Sequence, residues 1–216
     1  MSILTERILE ANWSQGVFTE GQLARLLDGT PQRRYNLVNR ALHDGELLRL
    51  RRGRYLLASA LARRKPHPFV LAQALRPGSY VSFETALSFH GWIPEATPPI
   101  LGVAPGRRRL ERIDPRFGEF RFYPLALTTG YFLRGVERHM LGHQTALVAQ
   151  PLRALLDRFC LRKQAYPGVD ALVHDLRIDA DLLADLRDED LQNLRPVYQH
   201  QRMAAFIDAL QRDLRA

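Results

Sequence analysis

The sequence is short of thiols, lysines and long apolar runs, and each shortage removes a class of protein. Cys160 is the single cysteine in 216 residues, which leaves no intrachain disulfide and no multi-thiolate metal site. That agrees with a reducing compartment, and Cys160 is expected in the core. No segment reaches the roughly 18 uninterrupted apolar residues that a membrane span needs. The opening, MSILTERILEAN, lacks an apolar run ahead of a small-residue cleavage site. The expectation is a cytoplasmic chain with no membrane partner. A phosphate-cradling glycine loop is missing too, since PGRRR at 105–109 holds one glycine.

What the chain has in abundance is arginine. Of 31 basic residues all but Lys65 and Lys163 are arginine, whose planar fork meets phosphates and carboxylates in bidentate fashion. The net charge of +8 is uneven: residues 1–65 carry 12 basic against 6 acidic side chains, 66–164 carry 13 against 7, and 165–216 carry 6 against 10. A basic front and an acidic tail favour nucleic acid or an acidic protein as partner. At 46% hydrophobic and 25% charged, the rest is an ordinary globular balance.

The first sixty-odd residues alternate helix signals with stops. Leu4, Ile8 and Ala11 recur at helical spacing, so Ser2 to Trp13 is expected to form an amphipathic helix. In VFTEGQLARLLDG, Thr19 and Gln22 match a capping box, with Phe18 and Leu23 as a hydrophobic staple. Gly29 is placed to end that helix. Thr30 then caps the next, Pro31 takes its first position and Gly45 stops it. Two helices meeting at Asp28-Gly29 have the form of a helix-turn-helix. On the second, the wheel puts Tyr35, Leu37, Val38, Ala41 and Leu42 inside. Outside fall Gln32, Arg33, Asn36, Asn39, Arg40 and His43, with Arg34 at the rim. That outer face has no carboxylate before Asp44, and amides and arginines are the side chains that pair with adenine and guanine edges. An ordinary solvated face is the plain alternative.

After Gly45 the period changes to alternation. In RLRRGRYLL, Leu48 and Leu50 are assigned to one face with Tyr55 and Leu57, Arg49 and Arg51 to the other, and Arg52-Gly53 to a two-residue turn. The register would place Leu50 opposite Tyr55 and Leu48 opposite Leu57. Arg49, Arg51, Arg52 and Arg54 then gather at the tip, where a polyanion relieves their repulsion as contacted phosphates release counterions. Helix, helix, recognition helix and basic hairpin together predict a winged helix-turn-helix that binds double-stranded DNA. A winged helix used for protein docking is the bland alternative.

ARRKPHPF, residues 62–69, is expected to be a boundary that also offers extra phosphate contacts. The fold class expected is α+β: a winged helix-turn-helix over 1–65, then a larger mixed α/β domain over 66–216 with a small sheet and a helical tail from about 165. Within it, Ser82 is assigned as the cap of a short helix through His90. PPILGVAPG and GEFRFYPL are expected strands, and Ala146–Ala149 a strand running into a helix that begins at Pro151. A last helix is expected over about 198–214.

Catalytic candidates are weak. His139 and His143 stand at i, i+4, but HMLGH lacks the glutamate of the zinc-protease signature and holds Gly142. Ser82, Glu84 and His90 lack a glycine-flanked nucleophile turn. His90 is assigned to carbonyls of its own last turn. The carboxylates of DLRDEDL suit a solvated, capped helix start. No catalysis, no metal and no cofactor are expected. Arg107, Arg108, Arg109 and Arg112 are compatible with an extended DNA surface, a partner-binding patch or a solvated loop. The acidic tail is one group that could pack against them.

The N-terminal module with LRRGRYLL, then SYVSFETALSFHGWIPE and later ALVAQPLRALLD, resembles the AbiEi family, the antitoxins of type IV (abortive infection) toxin-antitoxin systems. The resemblance extends over most of residues 15–165. It implies a two-domain transcriptional regulator whose winged helix binds inverted repeats in its own promoter. It further implies a C-terminal domain that counteracts a nucleotidyltransferase-like toxin. Gln32 to Arg40 and Arg49 to Arg54 match that family's DNA-reading helix and wing. The rival expectation is a protein- or RNA-binding module with a basic surface and no toxin partner.

Overall fold

The computed structural model describes residues 1–14, 16–94 and 98–215. Glu95, the end of the SYVSFETALSFHGWIPE motif, lies outside them. The architecture is α+β, with ten α-helices and two sheets among the described residues. No described helix is long and apolar enough to cross a membrane. The chain divides into two compact units, Met1–Pro77 with Met140–Ala146, and Gly78–His139 with Leu147–Ala216.

The first unit opens with α1 (Ile3–Glu10), β1 (Phe18–Thr19), α2 (Glu20–Leu26) and α3 (Pro31–His43). It continues with β2 (Leu47–Arg51), β3 (Arg54–Leu57) and α4 (Pro68–Leu75). Local chemistry sets the helix starts. Ser2 Oγ accepts from Thr5 N, Thr19 and Gln22 form the reciprocal capping box, and Thr30 accepts from Arg33 N ahead of Pro31. Each such cap is worth about 1 kcal/mol. Gly45, at φ +70°, turns the chain out of α3. Leu4, Ile8, Phe18, Leu23, Ala41, Leu47, Tyr55 and Leu57 form the core between helices and sheet. Ala41 is the one fully buried residue of α3, so this helix lies on the unit rather than in it.

Two details of the hairpin differ from the alternating pattern. β3 sits between β1 and β2, and the pairs are Leu47 with Leu57, Leu48 with Leu56, Arg49 with Tyr55 and Arg51 with Arg54, with the register shifting at Leu50. One extra residue on β2 moves every later partner by one, and a one-residue slip exchanges the faces of a strand. Leu48 is therefore opposite Leu56 rather than Leu57, and Arg49 shares the core face with Tyr55. Both faces of the hairpin are covered, because α4 packs against β2. Leu47, Leu50, Leu56 and Leu57 are all buried.

The segment 62–69 does not close the unit. Pro68 is the first residue of α4, where a missing N–H costs nothing, and His67 Nδ1 accepts from Phe69 N at 3.2 Å. Phe69, Val70, Leu71, Ala72 and Leu75 are buried, and the unit continues to Pro77.

The larger sheet has the order β6-β7-β5-β4-β9-β8. Its strands are β4 (Tyr80–Val81), β5 (Ile100–Val103), β6 (Leu110–Asp114), β7 (Gly118–Tyr123), β8 (Val136–Leu141) and β9 (Gln144–Ala149). Pairing is mixed: β4 with β9 and β5 with β7 are parallel, β4 with β5 and β6 with β7 antiparallel. A Cβ on Gly102 would lie 2.8 Å from Tyr80 O, so β5 needs a glycine there. Helix α5 (Phe83–Phe89) packs on α6 (Pro151–Arg162), and the tail holds α7 (Val169–Leu176), α8 (Ala180–Ala184), α9 (Asp188–Leu194) and α10 (Gln201–Asp213). The last helix starts three residues later than the pattern suggests, because Tyr198 is used elsewhere.

Tyr198 belongs to a buried polar cluster in the second unit. Arg153 and Asp157 are both fully buried and lie 2.9 Å apart on one face of α6. Asp157 also accepts from Tyr80 at 2.9 Å, Ser82 at 2.8 Å and Tyr198 at 2.8 Å. Arg153 donates to the Arg134 carbonyl at 2.6 Å. Burial, then the Asp157 charge, pushes both tyrosine hydroxyls well above their usual pKa, which keeps them as donors. Ser82 Oγ thus serves Asp157 and makes no side-chain cap for α5, correcting the role drawn from its position.

Candidate nucleic-acid interface

Helices α2 and α3 and the β2–β3 hairpin enclose a groove of about 500 Å³. From α3, Arg34, Tyr35 and Asn39 line it; from the hairpin, Arg49, Arg52 and Tyr55. The hairpin turn is held to α2 by Glu20 N donating to Gly53 O at 3.3 Å. Glu20 itself lines the groove, a carboxylate that the α3 face alone does not reveal. Arg34 donates to Gly29 O at 3.0 Å, and the Arg49 guanidinium lies 5.9 Å from the centre of the Tyr55 ring.

The ten residues drawn from the sequence fall into three groups. Arg34, Asn39, Arg49 and Arg52 meet at the groove. Gln32, Arg33, Asn36 and Arg40 are exposed on α3; Gln32 Nε2 donates to Asn36 Oδ1 at 3.1 Å, and Arg40 lies 3.8 Å from Asp44. An exposed pair of that length is worth under about 1 kcal/mol, so Arg40 is available. Arg51 and Arg54 form the third group. They oppose each other across the hairpin, Arg51 donating to Leu75 O at 3.1 Å and Arg54 to Gly53 O at 3.2 Å.

Tyr35 corrects the helical wheel. Placed inside by its angle, it is 61% exposed beside Arg34 and Asn39. Its neighbours Arg34 and Asn36 were the available signal, since a residue between two polar side chains at the edge of the apolar arc can turn either way.

Two of the four arginines in the second group are engaged locally. Arg109 pairs with Glu111 at 2.7 Å and stacks 5.2 Å from the Tyr123 ring centre, while Arg112 lies 3.8 Å from Asp114. The Arg121 hydrogen bond, foremost, holds Glu111 below the usual carboxylate range. Arg107 and Arg108 are exposed in the loop before β6. The tail carboxylates meet tail arginines instead of this group: Asp190 with Arg187, Asp208 with Arg195, Asp188 with Arg215.

The catalytic candidates separate. Ser82 serves Asp157, Glu84 accepts from Arg158 at 2.9 Å and Arg162 at 2.7 Å, and His90 Nε2 is 3.0 Å from Ala149 O rather than on its own helix. His139 lies on β8 and His143 in the turn that follows, so the spacing that would align them on a helix does not apply. Among the described residues no group of three or more His, Cys, Asp or Glu could hold a metal ion. Burial raises the Cys160 thiol to about 11, which keeps it protonated at neutral pH.

No protein-family model matches the chain, and no curated protein matches it. Among solved structures it is similar to the crystal structure of the RV2827C protein from Mycobacterium tuberculosis, with 19% sequence identity and a TM-score of 0.52. The match covers 97% of this chain and 78% of that one. The likeness concerns the fold alone.

Proposed function

We propose that the first unit is a winged helix-turn-helix that binds double-stranded DNA by sequence, with α3 as its reading helix and the β2–β3 hairpin as its wing. The observation that carries this is the shared groove: Arg34 and Asn39 of α3 line it together with Arg49 and Arg52 of the hairpin. Cations from two elements converge on one space, and a duplex can neutralise both. Exposed Gln32, Asn36 and Arg40 supply donors and acceptors suited to base edges in the major groove. Arg51 directly opposite Arg54 is an unfavourable like-charge pair across strands, tolerable beside a polyanion.

On the same reading the protein represses its own operon at an inverted repeat and acts as a type IV antitoxin. The second unit then counteracts a nucleotidyltransferase-like toxin. The resemblance of LRRGRYLL, SYVSFETALSFHGWIPE and ALVAQPLRALLD to the AbiEi family is the support for that half. The reading assigns no catalysis and a cytoplasmic setting.

Two substitutions test the DNA half. Asn36→Ala is expected to flatten preference at particular positions of an operator from the upstream region by about 1–3 kcal/mol. Arg52→Ala is expected to weaken all duplexes alike and reduce the slope of log affinity against log salt by about 0.9. Fluorescence anisotropy over a panel of operator variants measures both. Equal behaviour of the two variants, or indifference of the native protein to duplex DNA, would overturn the assignment. Co-expression with the neighbouring reading frame, scored by growth rescue, tests the antitoxin half.

A further inference from the structure

The first unit holds a second basic concavity that the groove on α3 does not include. Arg64, Lys65 and His67, from the segment leading into α4, line one part of it with His143. Arg54 lines the other part, with His143 and Gln144 common to both. The two parts measure about 290 and 420 Å³. Among the described residues, none that lines either part is an aspartate or glutamate, whereas the α3 groove contains Glu20. Arg64, Lys65 and His143 are exposed. His67 is held as a neutral donor: its Nδ1 accepts from Phe69 N at 3.2 Å, leaving Nε2 to carry the proton, and burial lowers its pKa.

A concavity with three permanent cations, two imidazoles and no anion fits a phosphate-bearing polyanion better than an acidic peptide. Carboxylates on a peptide are single charges at irregular spacing, while a nucleic-acid backbone offers evenly spaced phosphates along its length. The hairpin lies between this cleft and the α3 groove, since Arg52 lines the groove and Arg54, two residues on, lines the cleft. Cations of the β2–β3 hairpin therefore serve both concavities. We propose that the cleft formed by Arg54, Arg64, Lys65, His67 and His143 is a second backbone-contacting site, taking phosphates of duplex DNA beyond the base pairs that α3 reads.

This rests on the DNA-binding reading above, and the experiment separates the two. The full chain is titrated by anisotropy with a 12-bp and a 30-bp duplex of one sequence, over a range of salt. Native protein is compared with Arg64→Ala/Lys65→Ala and, independently, Arg52→Ala; all three sites are exposed, so the fold is expected to persist, and a thermal melt checks it. The expected result is a salt slope lowered by about 1.8 for the double variant on the 30-bp duplex, about 0.9 for each cation removed, with a smaller change on the 12-bp duplex. Arg52→Ala lowers the slope on both lengths. If the double variant keeps the native slope on the long duplex while Arg52→Ala loses its share, the cleft proposal falls and the α3 reading stands. Failure of the native protein to bind either duplex overturns both. Tighter retention of a 30-bp RNA duplex than of the DNA, or an equal loss on both DNA lengths, also overturns the cleft as a DNA-backbone site.

Discussion

Glu46 shows how much one side chain can fix. Its carboxylate accepts from Ser2 N at 2.9 and 2.8 Å and from Thr5 Oγ1 at 2.6 Å, joining the start of α1 to the residue just before β2. The Ser2 and Thr5 hydrogen bonds pull its pKa down to about 2. A folded-state pKa below the unfolded value gives stability that is present above about 4.5 and lost as pH falls toward about 2. Glu46→Gln should therefore flatten that limb of a melting-temperature-against-pH profile while leaving the rest of it parallel to native. Asp157 is the second case. Its partners are buried with it, so Asp157→Ala strands the Arg153 guanidinium without an anion and is expected to cost about 3–5 kcal/mol, read as a lower urea midpoint. Local residues of this kind were unequally legible. Thr19, Gln22, Thr30 and Pro31 could be assigned because a cap is a contact within three positions. The hydroxyl partners of Asp157 lie 77, 75 and 41 residues away, and, unlike the i,i+4 pair with Arg153, no spacing rule reaches that far.

At the scale of elements, the hairpin separates what alternation can and cannot tell. Its existence, its Arg52-Gly53 turn and its basic tip follow from the pattern, but its register does not, because an inserted residue at Leu50 leaves the composition of the strand unchanged. The doubled leucines, Leu47-Leu48 and Leu56-Leu57, were the legible sign: consecutive apolar residues fit a strand buried on both faces. The bulged register makes a specific demand. Strict alternation over one buried face would bury Leu48 and Leu50 and leave Leu47 outward, whereas Leu47 and Leu50 are each 1% exposed. Leu47→Ala and Leu50→Ala should then each cost about 2–5 kcal/mol in urea denaturation. A small effect at Leu47 would restore the unbulged pairing. Helix α3 behaves oppositely. With Ala41 its one fully buried residue, Tyr35→Ala is expected to leave stability within about 0.5 kcal/mol of native while weakening duplex binding measured by anisotropy.

The whole chain distributes its charge according to this division. Three tail carboxylates, Asp188, Asp190 and Asp208, are matched by tail arginines, which offsets part of the acidic excess of 10 against 6 in residues 165–216. The basic clusters at α3, the hairpin and residues 63–65 belong to the first unit and face solvent, the α3 groove or the cleft beside α4. That unit is discontinuous in sequence, which is why a boundary read from ARRKPHPF could find its composition change but not its extent. Residues 140–146 return to it, and Gln144 shows how: its side-chain amide accepts from Val17 N at 2.8 Å and donates to Val17 O at 3.1 Å, pairing as a neighbouring strand would. Both backbone groups of Val17, itself 6% exposed, depend on this one side chain 127 positions away. Gln144→Ala leaves a buried donor and acceptor unpaired and is expected to cost about 1–3 kcal/mol. Gln144→Glu, which can still accept from Val17 N but cannot donate to Val17 O, should lose part of that. Hydrogen exchange at the Val17 amide distinguishes them: fast in the alanine variant, slow in the glutamate variant, and unchanged in both only if some other group satisfies Val17.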